Sequence, residues 1–158
     1  MNDMICPHKK QYIMVENLKY LIEDQHEEVS VLANAAAYIK EQTGYFWVGF
    51  YLVRGDQLIL GPFQGSVACY TIRRGRGVCG TCWERGETLV VSDVHEFPGH
   101  IACSSLSESE IVIPLKARDG AVRAVLDIDS DRKDDFAEEM KAKLEQMAVI
   151  ISQQIYYQ

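Results

Sequence analysis

No stretch of the 158 residues approaches the roughly 18 to 20 uninterrupted apolar positions of a membrane span, so a transmembrane helix is excluded as the basis of function. The opening residues MNDMICPHKKQY hold no apolar core followed by a small-residue cleavage site, and the chain is read as cytoplasmic. Basic residues are in deficit: 16 Lys and Arg stand against 23 Asp and Glu, for a formal net charge of −7. Nucleic acid or an anionic membrane would demand a basic face, so neither is expected as a partner and a small solute is the expected ligand. Repeats, low-complexity tracts and interdomain linkers are absent as well, so the chemistry must lie within one unit. Five cysteines, Cys6, Cys69, Cys79, Cys82 and Cys103, are too few and too dispersed for a secreted disulfide scaffold. They are also many for a reducing compartment, which points to chemical rather than architectural use.

What is present fits a domain of ordinary size. The length and the 47% apolar content suffice for a full core, and one domain is predicted over residues 1–158, with 1–10 as a flexible N-terminal segment. Apolar residues at Ile13, Leu18, Leu21 and Ile22, and again at Val29, Leu32, Ala36 and Ile39, repeat with helical spacing. The run YFWVGFYLV at 45–53 is apolar on both alternating faces, as a central strand requires, and Gly55 turns it into a partner at 57–60. Further strands are predicted at 67–72, 88–92, 110–117 and 121–128, the last two joined by Asp119-Gly120. Phe136, Met140, Leu144, Met147, Ile151 and Ile155 form a closing helical stripe, with Asp135 and Glu138 as a capping pair. The expected fold is α+β: a mostly antiparallel six-stranded sheet flanked by N- and C-terminal helices, with long loops at 61–66 and 92–109 over one rim.

Several chemistries compete for the cysteines. Cys79-Gly80-Thr81-Cys82 has the CxxC spacing of a thioredoxin-like redox pair, but no parallel βαβ pattern surrounds it. Cys79, Cys82, His95, His100 and Cys103 are ligand types that suit zinc, although their spacing is poor for a second pair. As a bland alternative, Cys69, Cys79 and Cys82 are small apolar fillers and the two histidines are loop residues. That alternative fails for the group, because Cys103 sits in the polar loop GHIACSSLSESE, where burial as a filler would strand backbone polar groups.

The segments WVGFYLV, LGPFQG, VAC, GRGVCG, DVHEFPGHIAC, SESEIVIPL and VLDIDS, in order between positions 47 and 130, resemble the free methionine-R-sulfoxide reductases, single GAF domains. The matching cysteines Cys69, Cys79 and Cys103 keep that family's separations of 10 and 24 residues. The resemblance implies reduction of the R-epimer of free methionine sulfoxide, without cofactor or metal and with electrons from thioredoxin. It implies Cys103 as the nucleophile, Cys69 as the resolving cysteine, and Cys79 as a third active-site cysteine that serves as alternative resolver or relay. Glu110, Asp127 and Asp129 match the family's pocket carboxylates, with Glu110 and Asp129 in catalytic roles and Asp127 in substrate binding. Trp47 and Tyr51 match aromatics that enclose the methylthio end.

The residues support this chemistry in their own right. Sulfoxide reduction needs a thiolate, a proton for the departing oxygen, and a second thiol to discharge the resulting sulfenic acid. LDID puts Asp127 and Asp129 on one face of a strand, and Trp47 and Tyr51, four apart, also share a face. Carboxylates crowded in one cleft raise one another's pKa, and one kept protonated can act as a general acid. The turn GRGVCG brings backbone N–H groups to a helix start, a cradle for an α-carboxylate. Ser104, Ser105 and Ser107 are read as loop formers. Two departures stand out: Ala124 replaces the glycine usual before VLDID, which is expected to tighten the pocket, and Cys82 has no counterpart. Cys6 is read as a terminal thiol without a role. A homodimer through the terminal helices is expected, because GAF domains often pair that way and the stripe of the last helix is apolar. The rival function is a GAF sensor that binds a small ligand without catalysis.

Overall fold

In the computed structural model, residues 7–101 and 103–158 are described, with side chains from Ile13 onward. Cys6 lies outside the described residues, as do 1–6 of the predicted flexible segment, while 7–10 open the first helix. The helices are α1 (Pro7–Ile22), α2 (Glu28–Thr43), α3 (Gly77–Arg85) and α4 (Glu138–Tyr156), and a single 3-10 turn spans Val94–Glu96. The strands are β1 (Trp47–Arg54), β2 (Gln57–Gln64), β3 (Thr71–Arg73), β4 (Leu89–Val91), β5 (Ser109–Lys116) and β6 (Val122–Ser130). They form one sheet in the order β3-β2-β1-β6-β5-β4, antiparallel at every pairing.

The central strands are buried on both faces, and their alternation divides the molecule. Val48, Phe50 and Leu52 of β1, Ile111, Ile113 and Leu115 of β5, and Ala124, Leu126 and Ile128 of β6 share one core with α1, α2 and α4. The intervening residues Trp47, Tyr51, Val112 and Val125 point the other way, into a second core with Val78, Cys79, Cys82 and Trp83 of α3 and with Val94. Period-two geometry thus makes a helical layer on one side of the sheet and a thinner layer of α3 and loops on the other. The site is built on the thin side.

Four expectations are corrected. Only Thr71–Arg73 of the predicted strand 67–72 pairs with β2, and β2 itself runs on to Gln64. Residues 65–70 are therefore a loop, pinned where Leu60 N–H donates to Tyr70 O. The helix α4 begins at Glu138 behind an extended Ala137 with no side-chain cap. Asp135 instead accepts bonds from Ser130 and Arg132, which fastens the end of β6. The predicted stripe faces the helical core, with Phe136, Leu144, Met147 and Ile151 buried in it and Met140 and Ile155 half-buried against it. Finally, Ala124 faces that same core, fully buried, so its methyl group does not tighten the pocket.

Candidate active site

Strand register gathers the acidic floor. Glu110 of β5 lies opposite Asp129 of β6, Val112 lies opposite Asp127, and Asp129 in turn faces Trp47 of β1. Cross-strand partners share a face, so Trp47, Glu110, Asp127 and Asp129 all project toward the thin layer, as the LDID spacing predicts. They line a pocket enclosing about 550 Å³, part of it open to solvent, together with Tyr51, Cys79 and Cys103. An atom of Cys79, one of Glu110 and one of Asp127 lie within 4.8 Å of one another, and the Cys79 thiol is 4.0 Å from Glu110 Oε1.

Aromatic side chains form one wall and also hold the loop above it. Trp47 stacks with Phe63 at 5.1 Å between ring centroids and with Tyr51 at 6.2 Å. The indole Nε1–H of Trp47 donates to Ser66 O, and the Tyr51 hydroxyl donates to Cys69 O, each at 2.9 Å. The ring of Trp47 lies flat because position 49 lacks a side chain: a Cβ there would come within 2.5 Å of the indole. Residues 65–70 are thereby clamped over the pocket.

The opposite loop is fixed at both ends, with Val94 N–H donating to Glu108 O and Glu108 N–H to Ser130 O. This loop carries Cys103. A disulfide joins Cys103 to Cys69 across 34 residues, with 5.7 Å between their α-carbons. Of the two candidates for the resolving role, Cys69 is the one bonded to Cys103, while Cys79 and Cys82 are free and buried.

Burial and charge disfavour the thiolate form of both free cysteines. Desolvation, then the nearby Asp127, Glu110 and Asp129 carboxyls, push the Cys79 thiol well above its ordinary value. Burial first, then Asp127, pushes Cys82 up to about 12, and its thiol points at Val112 O, 3.6 Å away. A thioredoxin-like pair needs an exposed thiol of lowered pKa, so CxxC here is a helical spacing within the second core. Nor are the suggested zinc ligands gathered: Cys103 is bonded to Cys69, and His95 is exposed beside Glu108.

The carboxyl groups are shifted upward for related reasons. Burial, followed by repulsion from Asp127, raises both Glu110 and Asp129 well above the carboxylate range. Burial also raises Asp127, opposed by its contacts with Glu110 and Cys79. Asp127 Oδ1 is buried with no hydrogen-bond partner, and an orphaned acceptor of this kind costs about 1–3 kcal/mol unless a ligand satisfies it. Three adjacent buried carboxyls oppose one another's ionisation, which favours a shared proton on the floor, while Asp127 Oδ1 is left as an acceptor.

The pocket also takes in residues to which the sequence reading gives another role or none, Arg76 among those with none. Ser107, taken as a loop former, is buried beside Asp129 and lines the pocket. His100 also lines it, with Nε2 3.9 Å from Glu110 Oε2. The start of α3 completes the wall with Gly77, Val78 and Cys79. Gly77 has φ +60°, in the left-handed region that favours glycine, and a Cβ there would meet Ile101 at 3.1 Å. No side chain caps this helix, so no side-chain acceptor takes its first N–H groups, and the residues that carry them line the pocket.

Residues 25–155 match the GAF domain family. The free methionine-R-sulfoxide reductase of Escherichia coli is 47% identical over 120 residues, covering 75% of this chain and 72% of that one. The chain belongs to the free methionine-R-sulfoxide reductases. It is, with them, a GAF-domain oxidoreductase. The Saccharomyces cerevisiae reductase is 46% identical over 109 residues, 67% of this chain and 61% of its own. The Neisseria meningitidis reductase, solved in complex with its substrate, superimposes with a TM-score of 0.88 at 46% identity, over 91% of this chain and 87% of that chain. Among the described residues no helix is long and apolar enough to cross a membrane.

Proposed function

We propose that this reductase converts free L-methionine (R)-S-oxide to L-methionine through a sulfenic acid on Cys103 and the Cys69–Cys103 disulfide, which thioredoxin reduces in the cytoplasm. The observation that carries the proposal is a bonded cysteine couple, Cys69 and Cys103, of which Cys103 lines the pocket whose floor holds the three buried carboxyls Glu110, Asp127 and Asp129.

The Cys103 thiolate attacks the sulfoxide sulfur while a protonated carboxyl, Glu110 or Asp129, gives its proton to the oxygen. In the S–S-bonded adduct so formed, the hydroxyl passes to the Cys103 sulfur as the S–O and S–S bonds both break; methionine leaves as the thioether with the electron pair, and Cys103 is left as the sulfenic acid. The Cys69 thiol then attacks that sulfur, expelling water and forming the disulfide. An external dithiol returns both cysteines to thiols, so two electrons balance the oxygen removed. Asp127 takes the substrate ammonium, the α-carboxylate meets the N–H groups of α3, and Trp47 and Tyr51 enclose the methylthio group. Cys79, its thiol held protonated, does not initiate attack.

The deciding experiment incubates the reduced protein with free methionine (R)-sulfoxide and no other reductant, and follows methionine and free thiols together. About one methionine per chain with loss of two thiols is the expected result. A GAF sensor would bind the compound and lose no thiols, which would overturn the assignment.

A further inference from the structure

Among the described residues ten large apolar side chains are exposed, and four of them lie within three residues of a bonded cysteine. Val67 and Tyr70 flank Cys69 at 85% and 80% exposure, and Ile101 and Leu106 flank Cys103 at 37% and 60%. Val67 and Ile101 line the pocket, so substrate enclosure explains them. It does not explain Tyr70 and Leu106, which are not among the pocket's lining residues. The 5.7 Å separation of the cysteine α-carbons draws the two loops together, so these side chains surround one disulfide although they are more than thirty positions apart in sequence.

Charge is uneven along the segment that carries Cys69. Residues 65–83 contain Arg73, Arg74 and Arg76 and not one Asp or Glu, in a chain of 23 acidic and 16 basic residues. All three arginines are exposed, and Arg76 also lines the pocket, so Arg73 and Arg74 are the two that substrate enclosure leaves unexplained. The Cys69 side of the apolar centre is thus basic, whereas Glu84 packs beside Gly75 and the Cys103 loop carries Asp93, Glu96 and Glu108; a partner with an apolar surface and carboxylates facing the Cys69 side is complementary to it.

We propose that Tyr70 and Leu106 anchor a docking face for a small protein dithiol of acidic margin, centred on the Cys69–Cys103 bond. This rests on the reading that the bond is reduced in each cycle. The docked thiolate attacks one of the two sulfurs, breaking the Cys69–Cys103 bond and forming an intermolecular disulfide, and the displaced thiolate takes a proton. The partner's second thiolate then attacks its own sulfur in that bond, releasing the chain with two thiols and leaving the partner oxidised. A face of this extent falls in the small class of redox encounters, where two aromatic or aliphatic anchors carry much of the affinity.

The test compares two reductants on one protein: thioredoxin with its reductase, and dithiothreitol. The Tyr70→Glu/Leu106→Glu variant is expected to raise the KM for thioredoxin about tenfold or more, with dithiothreitol-driven turnover and the KM for methionine sulfoxide kept within about twofold. Tyr70→Phe/Leu106→Met is expected to behave like the unmutated chain. Rising ionic strength is expected to weaken the thioredoxin reaction alone. An unchanged thioredoxin KM in the glutamate variant would overturn the docking face. So would conversion of a dimer to monomers by that variant, since the face would then join two copies of the chain. Unmutated protein that turns over with dithiothreitol but not with thioredoxin would also overturn the docking face while sparing the reductase reading. Failure with dithiothreitol as well would sink the reductase reading itself.

Discussion

The Tyr51 hydroxyl donates a 2.9 Å hydrogen bond to the backbone carbonyl of Cys69, tying the floor of the sheet to the loop that bears one half of the disulfide. Tyr51 is itself buried, so its own position is set by packing. Removing the hydroxyl leaves a carbonyl without its donor and frees the loop. Tyr51→Phe is expected to cost about 1–2 kcal/mol of stability and to slow disulfide formation after the first methionine is released. Sulfenic acid trapping during a single turnover checks the second effect. If the sulfenic acid decays at the normal rate, other contacts hold the Cys69 loop.

Gly49 underlies the aromatic wall. A Cβ there would lie 2.4 Å from Phe63 Cβ and 2.5 Å from the Trp47 ring, and strand packing leaves neither residue an easy retreat. Overpacking of this kind costs about 1–3 kcal/mol. Gly49→Ala is thus expected to lower Tm and, by tilting Trp47, to raise the KM for methionine sulfoxide severalfold. Tryptophan fluorescence and steady-state kinetics measure the two effects together. A destabilised variant with normal KM would place substrate away from the indole.

How much of this site was legible beforehand depended on whether local pattern or distant packing decided it. Period-two alternation put Asp127 and Asp129 on one face, and it also contains the answer for Ala124, whose even position groups it with Leu126 and Ile128 against the helices. The helix α3 left only a glycine-flanked turn as its sign, because nine residues with Gly77 and Gly80 and no cap make a weak local signal. Strand 67–72 failed because its apolar residues serve the loop and the pocket, where Val67 and Ala68 are lining residues. Ser107 and His100 join the site only through tertiary packing that sets His100 near Glu110 and Ser107 beside Asp129, which no local spacing encodes.

The raised carboxyls predict a pH dependence of definite sign. A carboxyl whose pKa is higher in the folded chain stabilises the fold fully below its ordinary value, near about 4, and that stabilisation is lost as pH rises through the raised value. Glu110 and Asp129 are both of this kind. Stability and kcat are therefore expected to decline together toward alkaline pH, since the donor is the protonated form. Glu110→Gln cannot ionise, and it is expected to flatten the dependence of Tm on pH and raise Tm on the alkaline side while losing at least about tenfold in kcat. Calorimetry across about pH 5 to 9 reads the first result. A variant as pH-sensitive as the parent would show that Glu110 does not hold the proton.

The two bonded cysteines are expected to divide by timing. Cys103→Ser removes the nucleophile and is expected to abolish methionine release even in a single turnover. Cys69→Ser retains the nucleophile and is expected to release about one methionine per chain, then to stall as the sulfenic acid with thioredoxin. Mass spectrometry of the stalled protein identifies the added oxygen. Full steady-state turnover by Cys69→Ser would move the resolving role to Cys79, despite the burial that keeps that thiol protonated.

Substrate choice follows from the unpaired oxygen on the pocket floor. Asp127 Oδ1 is buried without a partner, and the ammonium of a free amino acid supplies a charge-assisted bond to it. An N-acetylated or peptide-bound sulfoxide brings a neutral amide instead. Its binding would leave the carboxylate desolvated and uncompensated, a penalty on the order of several kcal/mol and hence about a thousandfold in kcat/KM. Free methionine (R)-sulfoxide is therefore expected to be reduced and its N-acetyl derivative to be nearly inert. Asp127→Asn removes the charge and is expected to narrow that gap, weakening the free substrate more than the blocked one. The stabilities of parent and variant, measured alongside, separate loss of recognition from loss of fold. Comparable kcat/KM for the two substrates in the unmutated protein would show that the ammonium is not recognised and that Asp127 serves the site in another way.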